Sequence, residues 1–149
     1  MRALLDVNVL IALLDLDHMH NGIATRWLRE NLSPGWASCP LTQNGCIRIL
    51  SQPAFPNRVA ATAVDVAQRL SDAAADPAHE FWPDDINLLE PGVVHWDKLL
   101  SSRHLTDAYL LLLAVRRDAR LVTFDQGVPL QVVPGAQARH LCVIQPHVH

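Results

Sequence analysis

The chain is short of lysine, aromatic residues and cysteine, and each shortage excludes something. Lys98 is the only lysine among 12 basic residues, and the formal net charge is -3. No global basic field therefore draws the protein to nucleic acid. Contact with nucleic acid requires a local arginine patch or a bound cation. Arginine suits bidentate phosphate contacts, but it is also common in proteins of high-GC genomes. Aromatic residues make up 5% of the sequence, and Trp27, Trp36, Trp82 and Trp96 are scattered. They form no stacking stripe of the kind single-strand binders use and are expected in the core or at an interface. Cys39, Cys46 and Cys142 are an odd set without C-x-x-C spacing. They read as buried free thiols, not disulfides or zinc ligands, and point to a reducing compartment.

Long hydrophobic runs are also missing. The apolar stretch from Val9 to Leu14 is bounded by Asn8 and Asp15, which argues against a signal peptide or a membrane span. A cytoplasmic protein without membrane contact is expected. No G-x-G-x-x-G, P-loop or G-x-S-x-G occurs, so the common nucleotide and hydrolase fingerprints are absent. There is no internal repeat, low-complexity segment or linker. The 149 residues, half of them hydrophobic, are expected to form one domain spanning 1–149, with enough chain for a proper core.

What is present is an alternation of strand and helix signals. Residues 2–6 read as a short buried strand ended by Asp. A helix follows, capped by Asn8 or Asp6 and ending near Leu16. Ile23, Trp27, Leu28 and Leu32 mark one face of a second helix, which Ser33-Pro34-Gly35 stops. Trp36 to Cys39 reads as a strand ended by Pro40, and Thr42 to Leu50 as a helix. Val59 to Ala75 reads as a long helix with Ala60, Ala63, Val64, Ala67, Leu70 and Ala74 on its apolar face. His79 to Trp82 is a short strand, Trp96 to Leu100 a short helix, and Leu105 to Arg117 the most apolar helix. Arg120 to Phe124 and Arg139 to Ile144 are the last strands. Such alternation predicts an α/β fold, a central parallel sheet covered by helices on both faces.

Three aspartates stand where these apolar runs begin or end. Asp6 ends the first strand, Asp107 lies in the first turn of the late apolar helix, and Asp125 follows the strand ending at Phe124. In an open parallel sheet these positions can converge at the carboxyl edge, where α/β folds place their sites. Taken singly, each has an ordinary role: a strand end, a cap at the positive end of a helix dipole, a turn residue. Together, three acids repel one another until a divalent cation joins them, and Mg²⁺ suits a few carboxylates plus retained waters.

The segments Leu5-Asp6-Val7-Asn8-Val9-Leu10-Ile11, Thr106-Asp107-Ala108-Tyr109-Leu110 and Thr123-Phe124-Asp125 resemble the PIN domain family. The resemblance covers the whole chain and is closest to the VapC-type toxin ribonucleases of bacterial toxin–antitoxin pairs. Pro40 to Leu50 also resembles a helix of a subgroup of these toxins. The resemblance implies a three-layer α/β/α fold and endonucleolytic cleavage of RNA with Mg²⁺, or Mn²⁺ as substitute. It implies Asp6 and Asp107 as direct metal ligands, with Asp125 completing the catalytic pocket, and Asn8, Thr106 and Thr123 as supports for the carboxylates. It further implies a cognate antitoxin that inserts an arginine-bearing segment near the acids, and a homodimer, for which the faces of the Val59–Ala75 helix and of Trp27-Leu28 are candidates. One departure stands out. Many PIN domains carry a Glu early in the helix after strand two, where this chain has Gln43 or Asn44. An amide brings no charge and cannot act as a base, so a single ion is expected in preference to a pair.

Other residues carry weaker signals. His18, His20, His147 and His149 read as exposed loop and tail histidines. Asp84-Asp85 either supplies a further acid or, more in keeping with the preceding Pro83, belongs to a helix-capping loop. Arg48, Arg103 and Arg116-Arg117 are candidates for phosphate contacts or for surface ion pairs. Two functions compete with the nuclease. One is a non-catalytic RNA- or protein-binding module, which Gln43 favours and the retained acids oppose. The other is a phosphatase with Asp6 as nucleophile, which resembles the haloacid-dehalogenase fold but has Asn8 where a second Asp is wanted.

Overall fold

Successive residues of a strand face opposite sides of a sheet, and β1 (Ala3–Leu5) divides the core in this way. In the computed structural model, which describes residues 1–53 and 61–146, Leu4 packs on one side with Ala37, Leu121 and the late helix. Ala3 and Leu5 pack on the other with Trp36, Val122 and residues of the earlier helices. The other strands are β2 (Trp36–Ser38), β3 (His79–Phe81), β4 (Arg120–Thr123) and β5 (Leu141–Val143). All pair in parallel, in the order β3-β2-β1-β4-β5. The order reverses direction between β1 and β4, which is the switch point where such sheets open a crevice.

The helices are α1 (Val7–Leu14), α2 (Asn21–Asn31), α3 (Pro40–Leu50), α4 (Ala63–Ala74) and α5 (Leu105–Arg116). Residues of α1 to α4 join one side of the core, and α5 makes up most of the other. This gives the expected three layers. Every residue from Ala108 to Ala114 of α5 is buried, because Val93, Val94, Val128, Val132 and Val133 cover the side turned away from the sheet. A helix that is apolar all round needs such a double cover. None of the described helices is long and apolar enough to cross a membrane.

Two glycines set the packing. Gly35 sits at φ +85° between α2 and β2, a left-handed conformation that costs other residues energy. A Cβ on Gly45 would lie 2.7 Å from Val7 Cγ2, so α3 approaches α1 closely only because that position is bare.

Some expectations are corrected. The helix placed at Val59 to Ala75 begins at Ala63, with the Thr62 hydroxyl accepting from the Asp65 N–H; Val59 and Ala60 lie outside the described residues. Its buried positions are Val66 and Leu70, whereas Val64 is 78% exposed. The true stripe follows the i, i+4 spacing of the larger side chains, and alanines blur that pattern. The helix placed at Thr42 starts at Pro40, because proline at the first helical position loses no hydrogen bond that the helix would have used. Cys39 and Cys46 are buried and Cys142 half-buried, all free as expected. Trp36 and Trp82 are core residues, and Trp96 is 46% exposed. His147 and His149 lie outside the described residues.

Candidate active site

The carboxyl edge at the β1/β4 switch point collects the acids. Asp6 follows β1 and is the N-cap of α1, its Oδ1 accepting the Val7 N–H at 2.7 Å. Its Oδ2 accepts from the Thr123 hydroxyl, also at 2.7 Å. Thr123 ends β4 and is fully buried. Its oxygen also accepts from Asn8 Nδ2 at 3.2 Å and from the Asp125 N–H at 3.0 Å. Asn8 Oδ1 accepts the Phe124 N–H at 3.3 Å. One hydroxyl thus ties the ends of two neighbouring strands together, and with them the backbones that carry Asp6 and Asp125.

Asp107 approaches from the other layer. It lies in the first turn of α5, whose start faces the carboxyl edge because the chain must return along α5 to begin β4. Burial pushes its pKa up to about 7, and the nearby charges of Asp6 and Asp125 push the same way. Asp6 is also raised, chiefly by burial, against the hydrogen bonds from Thr123 and Val7. Asp125 is held below the usual range, first by the Gly127 N–H that its Oδ1 accepts at 2.8 Å, then by its hydrogen bond with Asp107 and the charges of His104 and Arg103. The hydrogen bond between these two carboxyls raises Asp107 and lowers Asp125.

His104 is the residue that sequence reasoning missed. It is the N-cap position of α5, three residues before Asp107, and one ligand atom each from His104, Asp107 and Asp125 lie within 4.8 Å of one another. Asp6 stands beside this set, near enough for its charge to act on Asp107. The His-x-x-Asp spacing at a helix start was the available signal, because i and i+3 share a helix face. The donor set fits a divalent cation: carboxylates that cannot all ionise side by side, and a buried imidazole nitrogen without a hydrogen-bond partner among the described residues.

Other expected residues fall elsewhere. Gln43 Nε2 donates to the buried Ser38 hydroxyl at 3.0 Å, so this amide nitrogen is committed to β2. Asp84 Oδ2 accepts the Leu41 N–H at 2.9 Å, which makes it a cap for α3 and not a further acid at the site. Thr106 is exposed in a shallow groove with Leu41, Leu105 and Tyr109, and no hydrogen bond among the described residues joins it to the carboxylates. Arg103 stands beside His104 and Asp125. Arg116 and Arg117 lie at the opposite end of α5, on the order of 15 Å from its first turn; Arg117 pairs with Asp85 at 3.7 Å and covers the Trp82 ring. His18 and His20 are half-buried, not exposed as expected, in a cavity of about 480 Å³ whose lining includes Asn8 and Phe124.

Residues 3–133 match the PIN domain family. The chain belongs to that family. This PIN domain is 47% identical over 145 residues to Ribonuclease VapC44 of Mycobacterium tuberculosis, a match covering 97% of the chain and 100% of the relative. It is 42% identical over 128 residues to Ribonuclease VapC39 of the same species, covering 86% of the chain and 91% of that relative. Ribonuclease VapC38, also from that species, is 40% identical over 129 residues, with 85% and 86% covered.

Proposed function

We propose that this PIN domain is a metal-dependent endoribonuclease, the toxic component of a type II toxin–antitoxin pair. The observation that carries the reading is the convergence of Asp6, Asp107 and Asp125 at the sheet's switch point, in a chain whose named relatives are ribonucleases. Asp6 and Asp107 hold a divalent cation there, Mg²⁺ with Mn²⁺ as a substitute. When bound, the cation supplies charge stabilisation to a phosphodiester in its transition state. Asp125 completes the pocket and orients the attacking water. Thr123 and Asn8 fix the carboxylate geometry from behind, and the exposed Arg103 guanidinium is placed to meet a phosphate. No covalent protein intermediate is required. The substrate is RNA.

A cognate antitoxin silences the enzyme by placing an arginine-bearing segment over the acids. The protein works in the cytoplasm as a homodimer, paired through the outer face of α4, where Ala63, Val64 and Ala67 are exposed. A phosphatase with Asp6 as nucleophile is disfavoured, because the position where that chemistry wants a second Asp is Asn8, whose amide is spent on Thr123 and the Phe124 N–H. The non-catalytic alternative rests on Gln43, which adds no fourth acid. Cleavage of a defined pool of structured RNAs separates the two. Products formed in Mg²⁺, and absent both with EDTA and with Asp107→Asn, support the nuclease. A folded wild type that binds metal yet cuts nothing in the pool favours the binding module.

A further inference from the structure

We infer that His104 is itself a ligand of the cation held by the acids, and that its imidazole tilts the site toward transition-metal dications over Mg²⁺. The inference rests on the metal-site reading of the three aspartates and adds a residue and a selectivity to it. His104 Nδ1 lies 4.0 Å from Asp107 Oδ2, too far for a hydrogen bond. One ligand atom each from His104, Asp107 and Asp125 nonetheless lie within 4.8 Å of one another, so the three can draw in around a cation placed between them.

The ring is otherwise unexplained. Nδ1 is one of two buried side-chain polar atoms without a hydrogen-bond partner among the described residues, the other being Arg120 Nε. Arg120 still reaches Asn31 through its Nη2 and covers the Trp27 ring. His104 Nδ1 has no such compensation, and an orphaned buried nitrogen carries a cost that a cation removes. A capping role does not account for it, because the side chain makes no cap hydrogen bond. Its outer nitrogen, Nε2, lies 3.5 Å from Arg103 Nε, a contact at the limit of hydrogen bonding. Ligation through Nδ1 places the ring proton on Nε2 and gives up that long contact. Mg²⁺ prefers oxygen donors, whereas imidazole nitrogen adds affinity for first-row transition metals in their usual order. A mixed nitrogen–oxygen set therefore discriminates more strongly than an all-carboxylate set.

The test uses the full chain with Mn²⁺ alone as probe. Pulsed EPR reads nitrogen coupling to the bound ion, and Mg²⁺ competition gives relative affinity, for wild type, His104→Ala, His104→Gln and Asp107→Asn. The expected result is imidazole nitrogen coupling in wild type that vanishes in both His104 variants. Their Mn²⁺ Kd rises at least roughly tenfold, with a smaller change for Mg²⁺. Mn²⁺ bound in an Asp107-dependent manner without nitrogen coupling, or coupling that persists in both His104 variants, overturns the assignment and leaves the acidic site standing. Mn²⁺ binding that is absent, or indifferent to Asp107→Asn, overturns the assignment together with the metal-site reading beneath it.

Discussion

Replacing Asp107 by Asn removes a charge that burial disfavours, so the variant is expected to be more stable than wild type when metal is absent. The Asp107 carboxyl is pushed from its ordinary 3.8 to about 7. A group whose folded pKa exceeds its unfolded one contributes stability that is complete below the unfolded value and is lost as pH rises through the folded one. For Asp107, the loss runs from about pH 4 to just above 7. The full gap corresponds to about 4 kcal/mol at 1.36 kcal/mol per pH unit. The side chain keeps 15% exposure at the pocket mouth, and screening by water reduces the effect to about 1–2 kcal/mol. Asn resembles the protonated acid in shape and still donates to Asp125. In EDTA at pH 8 the variant's Tm is expected to lie about 3–6 °C above wild type, and the gap to close at pH 4. Mg²⁺ takes the place of the proton, so it raises the wild-type Tm and leaves the variant nearly unmoved. Thermal unfolding followed by circular dichroism at both pH values, with EDTA or Mg²⁺, reads all four conditions. An Asp107→Asn protein less stable than wild type in EDTA at pH 8 would refute the reasoning, because Asp107 would then be a paired structural carboxylate.

Three further outcomes are expected. Thr123→Val keeps the shape of the side chain but leaves the buried Asp6 carboxylate and two donors without the shared oxygen. Urea unfolding should show a loss of about 2–4 kcal/mol, and metal affinity measured calorimetrically should fall with it. Gly45→Ala drives a methyl into Val7, costing about 1–3 kcal/mol; Val7→Ala in the same chain should recover most of it, and equal costs with and without that second change would dismiss the close α1–α3 approach as the cause. Asp84→Ala should cost about 1 kcal/mol through the lost cap on α3 without changing the metal Kd. A large loss of metal binding there would return Asp84 to the site.

The alternation of apolar runs was enough to give a parallel α/β sheet, since helices and strands differ in the period at which they bury side chains. It also placed Asp6, Asp107 and Asp125 at element ends, where the layers of such a sheet bring acids to one edge. Chain order alone carried that much, because a parallel sheet must turn back at each strand's carboxyl end. The limits of α4 were not legible, since an alanine-rich stretch has similar propensity throughout and only the contacts of Val66 and Leu70 choose its inner face. Gln43 shares its helix start with Asp84, yet one amide turned to Ser38 and one carboxylate capped the helix. Those choices depend on partners 5 and 43 residues away in the chain. His104 could be ranked only after folding. Its spacing from Asp107 is printed in the sequence, but the burial that orphans its Nδ1 arises when α5 docks against the sheet edge beside Asp125. Local pattern fixes which residues stand on a face; desolvation and distance between chain segments decide what they do there.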